Sequence, residues 1–298
     1  MRIGGIDLGG TKIEARLFEG AGAETVKVHR VPTPTDSFDG LMSALIGQVD
    51  WLRAESGDPS LPVGVAIPGV IDPATGESFA SNIPASGHSI PAALKAHFGE
   101  AIPVVNDCMA FAFSEAQGGA GDGHRVVMGL ILGTGVGGGV SIDGAIPPRH
   151  AGLAVEVGHI GMSYRAIERH GLPMFRCGCG RLGCVENYIS GTGFKNIAEW
   201  KTGTRHGAEA LGTEPALDEV LDIWADIAGD VLDTIQLALD PDCIVIGGGL
   251  SNLPGVADRL TTSLEALRLG SARMPLITVA QHGDSSGARG AALMGLKA

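Results

Sequence analysis

The sequence predicts an α/β protein built from two related lobes. Apolar, strand-like runs alternate with helical stretches along the chain. A glycine-rich turn follows an apolar strand twice, about 130 residues apart. Hydrophobic residues make up 44% of 298, enough to bury large cores, and charged residues are only 18%, which excludes intrinsic disorder. The repeat sets the expected division: an N-terminal lobe over 1–117, a C-terminal lobe over 118–284, and a last helix at about 285–298 returning to the first lobe.

The opening reads as a hairpin: an apolar run to Ile6, the turn Asp7-Leu8-Gly9-Gly10-Thr11-Lys12, then Ile13–Glu19 alternating apolar with polar residues. A helix is expected from about Ser37 to Glu55, with Phe38, Leu41, Leu45, Val49 and Leu52 on one face and Thr35, Asp36 and Ser37 as candidate caps. Val63–Ile67 reads as a strand broken by Pro68-Gly69, and Ile102–Val105 as another, followed by Asn106-Asp107 and a helix through Cys108–Gln117. After a glycine-rich linker at 118–124, strand Arg125–Leu132 runs into Gly133-Thr134-Gly135-Val136-Gly137-Gly138-Gly139, with Val140–Gly144 as the returning arm. A loop-rich cysteine section spans 150–190. A long helix follows at about Ala216 to Leu239, then a strand, Cys243–Ile246, ending in Gly247-Gly248-Gly249, and a terminal strand and helix.

Charge and composition remove several function classes. With 33 acidic against 21 basic residues the net charge is −12, which argues against nucleic acid or an anionic membrane as the main partner. No run of 18 apolar residues offers a membrane span, and the amino terminus lacks the apolar core of a signal peptide, so the cytoplasm is the expected location. Aromatics at 4% disfavour base-stacking platforms.

The glycine turns carry the first chemical signal. Glycine lets backbone N–H groups approach phosphate oxygens without a Cβ clash, and Thr11 and Thr134 add hydroxyl donors. Neither turn fits the Walker pattern, and hairpin geometry alone would also explain either one. Two such turns plus the triplet at 247–249 favour nucleotide binding. Asp7, a carboxylate closing a buried strand, is costly unless it holds a cation, and Mg²⁺ with its water shell suits it.

Cys177, Cys179 and Cys184 place three thiols in a glycine-rich loop preceded by Glu156-Val157-Gly158-His159. Three thiolates and one imidazole make a closed tetrahedral zinc site of the structural kind; the alternative is three buried thiols beside a core histidine. Asp107, after a strand and before a helix, is either an N-cap or a carboxylate available for catalysis.

Together, DLGGTK, the Pro68-Gly69 break, Asn106-Asp107, LGTGVGGG, RCGCGRLGCVENY and IGGG resemble the sugar kinases of the ROK family nearly end to end. The resemblance implies a two-lobed actin-like ATPase (ribonuclease H-like) fold with a structural Zn²⁺ site in the second lobe. It also implies phosphorylation of N-acetyl-D-glucosamine at its 6-hydroxyl by MgATP, with glucokinase, fructokinase or a non-catalytic sugar-sensing regulator as alternatives. It assigns Asp107 as base, and Gly69, Asn82, Asn106, Glu156, His159 and Glu186 as sugar contacts. His159 would ligate zinc with Cys177, Cys179 and Cys184 while its other nitrogen faces the sugar. Nucleotide contacts would come from Gly5, Asp7, Gly9, Gly10, Thr11 and Lys12, from Gly133, Thr134, Gly135, Gly137, Gly138 and Gly139, and from Gly247, Gly248 and Gly249 beside the adenosine. A homodimer is the implied assembly. His88 is a further candidate near the sugar's 2-substituent.

Overall fold

A computed structural model describes residues 1–20 and 22–297. The chain begins with β1 (Arg2–Leu8), β2 (Lys12–Glu19), β3 (Glu24–Pro32), α1 (Phe38–Ser56), β4 (Val63–Ile67), β5 (Val70–Ile71), β6 (Ser78–Phe79), α2 (Ile90–Phe98), β7 (Val104–Asn106) and α3 (Asp107–Glu115). It continues with β8 (Val126–Leu132), β9 (Val136–Ile142), α4 (Tyr164–His170), α5 (Glu186–Ile189), α6 (Gly191–Thr202) and α7 (Ala216–Leu239). The final elements are β10 (Cys243–Gly247), α8 (Val256–Glu265), β11 (Leu276–Val279) and α9 (Ser286–Gly295). Two compact units divide these elements. Among the described residues, no helix is long and apolar enough to cross a membrane.

The first unit comprises Met1–Asp122, Gly139–Ala154 and Asp284–Ala298. Its sheet has the order β3-β2-β1-β4-β7; β1, β2 and β3 run antiparallel in turn, while β1, β4 and β7 are parallel. The expected opening hairpin is β1 and β2, and it gains a third strand, β3, that the sequence reading left out. Helix α1 starts where Ser37 accepts a hydrogen bond from the Gly40 N–H at 3.2 Å, and ends at Gly57 in the left-handed region (φ 71°). Leu41, Leu45, Val49 and Leu52 are fully buried with Leu8, Ile13, Val65 and Ile67 in one core. Each such burial contributes about 1.5–3 kcal/mol against exposure.

Helix α9 packs against β1, β4 and α3 because glycines clear its path. A Cβ on Gly5 would lie 1.9 Å from the Ala288 carbonyl oxygen, and one on Gly64 the same distance from that of Ala291. On the α3 side, Gly290 approaches the Ala110 carbonyl as closely. Arg289, buried within this contact, donates to the carbonyls of Ser114 (2.7 Å) and Gln117 (2.7 Å), which meets the requirement that a buried cation be hydrogen-bonded. The helix expected at 285–298 is thus Ser286–Gly295; Ala298 lies outside the described residues.

One boundary is corrected. Residues 139–154, assigned to the second lobe by the repeat, belong to the first unit. Gly139 sits so close to the Cys108 carbonyl oxygen that a Cβ would be 1.9 Å away, Gly152 abuts the Ile71 carbonyl, and Gln117 Nε2 donates to the Gly144 carbonyl at 3.1 Å.

The second unit comprises Gly123–Gly138 and Val155–Gly283, with the strand order β11-β10-β8-β9. Strand β10 runs parallel to both β8 and β11. The long helix α7 buries Leu217, Trp224, Ile227, Val231 and Ile235 in the core, and Trp224 Nε1 donates to the Ile189 carbonyl at 3.0 Å. Strand β9 starts at Val136, inside the glycine run, rather than at Val140.

Candidate active site

The carboxyl ends of the parallel strands of the first unit collect its polar residues, the usual place for a ligand in such sheets. Asp7 ends β1, Gly69 follows β4, and Asn106 ends β7. In the turn after β1, the Gly9 N–H donates to the Lys12 carbonyl (2.9 Å), Thr33 Oγ1 donates to that of Gly9 (2.7 Å) and the Thr33 N–H to that of Thr11 (3.1 Å). The turn's carbonyls are thereby tied back. Among the described residues the N–H groups of Gly10 and Thr11 form no hydrogen bond to protein, which leaves two donors for an anion. Asn82 lies beside the turn: a Cβ on Gly10 would fall 3.1 Å from Asn82 Nδ2.

Asp7 is the electrostatic anomaly. Burial, then the carboxylates of Asp107 and Glu14, push its pKa up to about 6, against the opposing pull of Lys12 and Arg16. The repulsion shows that Asp107 stands close enough to Asp7 for the two to share one field. A site that crowds carboxylates in this way fits a divalent cation. Glu14 behaves oppositely: burial alone would raise it, but hydrogen bonds from Arg30, Lys12 and Arg16 hold it below the ordinary carboxylate range.

Asp107 opens α3, yet it is not the cap. Asn106 is, its Oδ1 accepting from the N–H groups of Cys108 (2.9 Å) and Met109 (3.1 Å) while its Nδ2 donates to the Gly69 carbonyl (2.8 Å). Asp107 Oδ1 accepts from the Cys108 N–H at 2.8 Å. Gly69 has φ +100°, and a Cβ there would lie 2.3 Å from the Phe79 carbonyl oxygen, so only glycine fits. Asn106, Gly69 and Asp107 therefore form one rigid corner. His88 packs flat on Phe38, ring centroids 4.3 Å apart.

In the second unit, the turn after β8 is tied down in the same manner. The Gly133 N–H donates to the Gly135 carbonyl (3.0 Å), the Gly191 N–H to that of Gly133 (2.7 Å), and Thr192 Oγ1 to that of Thr134 (2.8 Å). The turn borders a cavity of about 940 Å³ whose lining mixes Gly133, Thr134, Thr192, Lys195 and Asn252 with Leu211, Leu250 and Leu253 and the acidic Glu209 and Asp218. Polar donors beside apolar side chains are what a ligand with a polar tail and a planar base requires. Gly191, Thr192 and Lys195, at the start of α6, were missed from sequence. Their signal was available, since Gly191-Thr192-Gly193 repeats the Gly-Thr-Gly of the turn and follows Ser190, which caps the helix through the Gly193 N–H at 2.9 Å.

Several of the glycines expected at the phosphates also permit close packing. Gly5 lies mid-strand under α9, Gly138 faces the Val155 carbonyl with room for no Cβ, and Gly139 abuts Cys108. Gly248, with φ +80°, presses on the backbone of Leu132 and Gly133, whereas Gly249 reaches the cavity.

The ligand atoms of His159, Cys177, Cys179 and Cys184 all lie within 4.8 Å of one another. His159 Nδ1 is 3.8 Å from Cys177 Sγ, and Cys179 Sγ is 3.7 Å from Cys184 Sγ. Cys177, Cys179 and Cys184 are free thiols. The Arg181 backbone and the neighbouring thiols hold Cys179 below the ordinary thiol range, while burial pushes Cys184 up to about 12. A buried thiol beside two others cannot ionise alone, so the donor set fits a soft cation. Glu156 precedes the single turn Val157–His159 and is exposed. Glu186 opens α5, with Oε2 accepting from the Val136 N–H (3.3 Å) and Oε1 3.8 Å from Cys177 Sγ.

A model of the ROK family matches residues 3–298. The N-acetylgalactosamine kinase AgaK of Shewanella sp. (strain ANA-3) is 38% identical over 297 residues, covering 98% of this chain and 96% of that protein. The N-acetyl-D-glucosamine kinase of Pectobacterium atrosepticum is 38% identical over 303 residues, 98% of each chain. The crystal structure of a ROK family glucokinase from Streptomyces griseus, in complex with glucose and AMPPNP, superimposes with a TM-score of 0.79 at 27% identity, covering 100% of both chains.

Proposed function

The chain belongs to the ROK family, and from that premise we propose that it transfers the γ-phosphoryl group of ATP to the 6-hydroxyl of N-acetyl-D-glucosamine. The observation that carries the reaction is Asp107, held at the start of α3 by the Asn106 corner and close enough to Asp7 to raise that residue's pKa. A helix start favours the ionised carboxylate, as a base requires. Asp107 would take the O6 proton as O6 bonds to the γ-phosphorus; the bond from that phosphorus to the β-bridging oxygen breaks, and ADP leaves.

Other roles follow the family pattern. Gly69, Asn82 and Asn106 are the proposed sugar contacts of the first unit; Glu156, His159 and Glu186 are those of the second. Asp7 would hold Mg²⁺ through its water shell, screening the β- and γ-phosphates. His159, Cys177, Cys179 and Cys184 would hold structural Zn²⁺, whose chemistry is to fix the loop and the His159 ring rather than to activate water. Gly10 and Thr11, with Gly133, Thr134 and Gly249, would receive the nucleotide. The enzyme is proposed to act in the cytoplasm as a homodimer.

The name of the Shewanella relative supports one second reading, N-acetylgalactosamine as the preferred sugar. A coupled assay of ADP formation with N-acetylglucosamine, N-acetylgalactosamine, N-acetylmannosamine, glucose, mannose and fructose separates these. N-acetylglucosamine is expected to give the highest kcat/KM. Binding of sugar without ADP formation from any of them would leave a sensor and remove the kinase.

A further inference from the structure

We propose that Glu186 is a positioning residue for the nucleotide, its carboxylate holding the second phosphate turn in the shape that exposes donors to ADP and ATP. The inference deepens the kinase reading and rests on it. Four hydrogen bonds fix that turn. Three come from its own backbone and from the start of α6, and tie back the carbonyls of Gly133, Thr134 and Gly135. The fourth is from the Val136 N–H to Glu186 Oε2, reached across fifty positions of sequence. Among the described residues, the Thr134 and Gly135 N–H groups form no hydrogen bond to protein, so the turn presents two adjacent donors beside a cavity that Thr134 lines.

Gly135 sits against the same carboxylate. A Cβ there would lie 2.4 Å from Glu186 Oε2, and its three nearest atoms all belong to Glu186. The backbone of Gly135 is not in the left-handed region, so a side chain there would first meet the Glu186 carboxylate, which would have to move from its place beside the turn. Glu186 opens α5 two residues after Cys184, and its Oε1 lies 3.8 Å from Cys177 Sγ, so the carboxylate stands between the thiol loop and the turn.

The test is calorimetric titration of the full-length protein with ADP and excess Mg²⁺, without sugar, which separates this role from any sugar contact of Glu186. Glu186→Ala should weaken ADP binding about tenfold, the scale of a hydrogen bond to a charged group. Glu186→Gln keeps an acceptor oxygen at the same reach and should bind ADP nearly as tightly as the parent. Gly135→Ala should weaken binding in the parent but add nothing in the Glu186→Ala background, where the clash is gone. Equal ADP affinity for Glu186→Ala and the parent overturns the inference, as does a Gly135→Ala effect of the same size in both backgrounds. Should Glu186→Ala fail to fold, Gly135→Ala alone decides, because undiminished ADP binding would mean the carboxylate's place does not matter. Failure of the parent to bind ADP at all would instead strike the kinase reading itself.

Discussion

Asn106 and Gly69 are joined by a hydrogen bond from Asn106 Nδ2 to the Gly69 carbonyl at 2.8 Å, while the other end of the same amide caps α3. One side chain therefore fixes both the turn after β4 and the start of the helix that carries Asp107. Asn106→Ala should lose the cap and the bridge together, lowering stability by about 1–2 kcal/mol, within the range for cap removal. Asn106→Asp keeps the cap but loses the donor to Gly69. Chemical denaturation should rank the parent above Asn106→Asp, and Asn106→Asp above Asn106→Ala. Equal midpoints for all three would show that the bridge carries no energy.

For Asp107, the expected signature is a fall in kcat without loss of fold. Asp107→Asn should reduce kcat at least ~10²-fold, the lower range for a missing general base, with the sugar's dissociation constant little changed. Steady-state kinetics beside equilibrium sugar binding reads both numbers. Turnover near the parent level would remove Asp107 as base.

Glu14 supplies a pH-dependent term. Its side chain is 3% exposed and bridges Lys12, Arg16 and Arg30. Because its folded pKa lies below the unfolded value of 4.5, its contribution is complete above pH 4.5 and disappears as pH falls through the folded value. Glu14→Gln should cost about 2 kcal/mol at pH 7, the scale of hydrogen bonds to a buried charge. The gap between parent and variant should narrow as the pH is taken below 4.5. A gap that stayed constant down to pH 3 would mean the carboxylate's charge does not contribute.

Metal analysis addresses the thiol loop. The purified protein should carry about one zinc per chain, as a closed site of three thiolates and one imidazole would. Cys179→Ser should lose most of it and lower the melting temperature by about 5 °C or more, since binding energy at such a site is folding energy. Zinc at trace levels in protein never exposed to chelator would refute the assignment.

Much of this arrangement was legible in the sequence, for physical reasons that also mark where legibility ends. Strands β1, β8 and β10 read as apolar runs closed by glycine because their interiors are buried and their ends approach backbone or ligand. Helix α7 declared itself through apolar residues at helical spacing, Leu217, Leu221, Trp224, Ile227, Val231 and Ile235. Strand β3 did not, being an edge strand that exposes Val26 and Val28 among charged residues. Helix α6 hid behind Gly191-Thr192-Gly193, which local propensity reads as a turn. Gly5 and Glu186 stand out in the sequence, but their packing and hydrogen-bond partners do not. Those partners, Ala288 and Val136, lie far away in sequence, and nothing local encodes such a contact.

The seating of α9 on Gly5 and Gly64 has a bearing on synthesis. A ribosome making about 5–20 residues per second releases β1 some 15–60 s before the helix that covers it. Residues 155–283, which need nothing from α9 for their own core, emerge in the interval and can fold first. The earliest strand to be translated is thus among the last to be sealed, and until then its glycine-lined face stands open to chaperones and to neighbouring nascent chains.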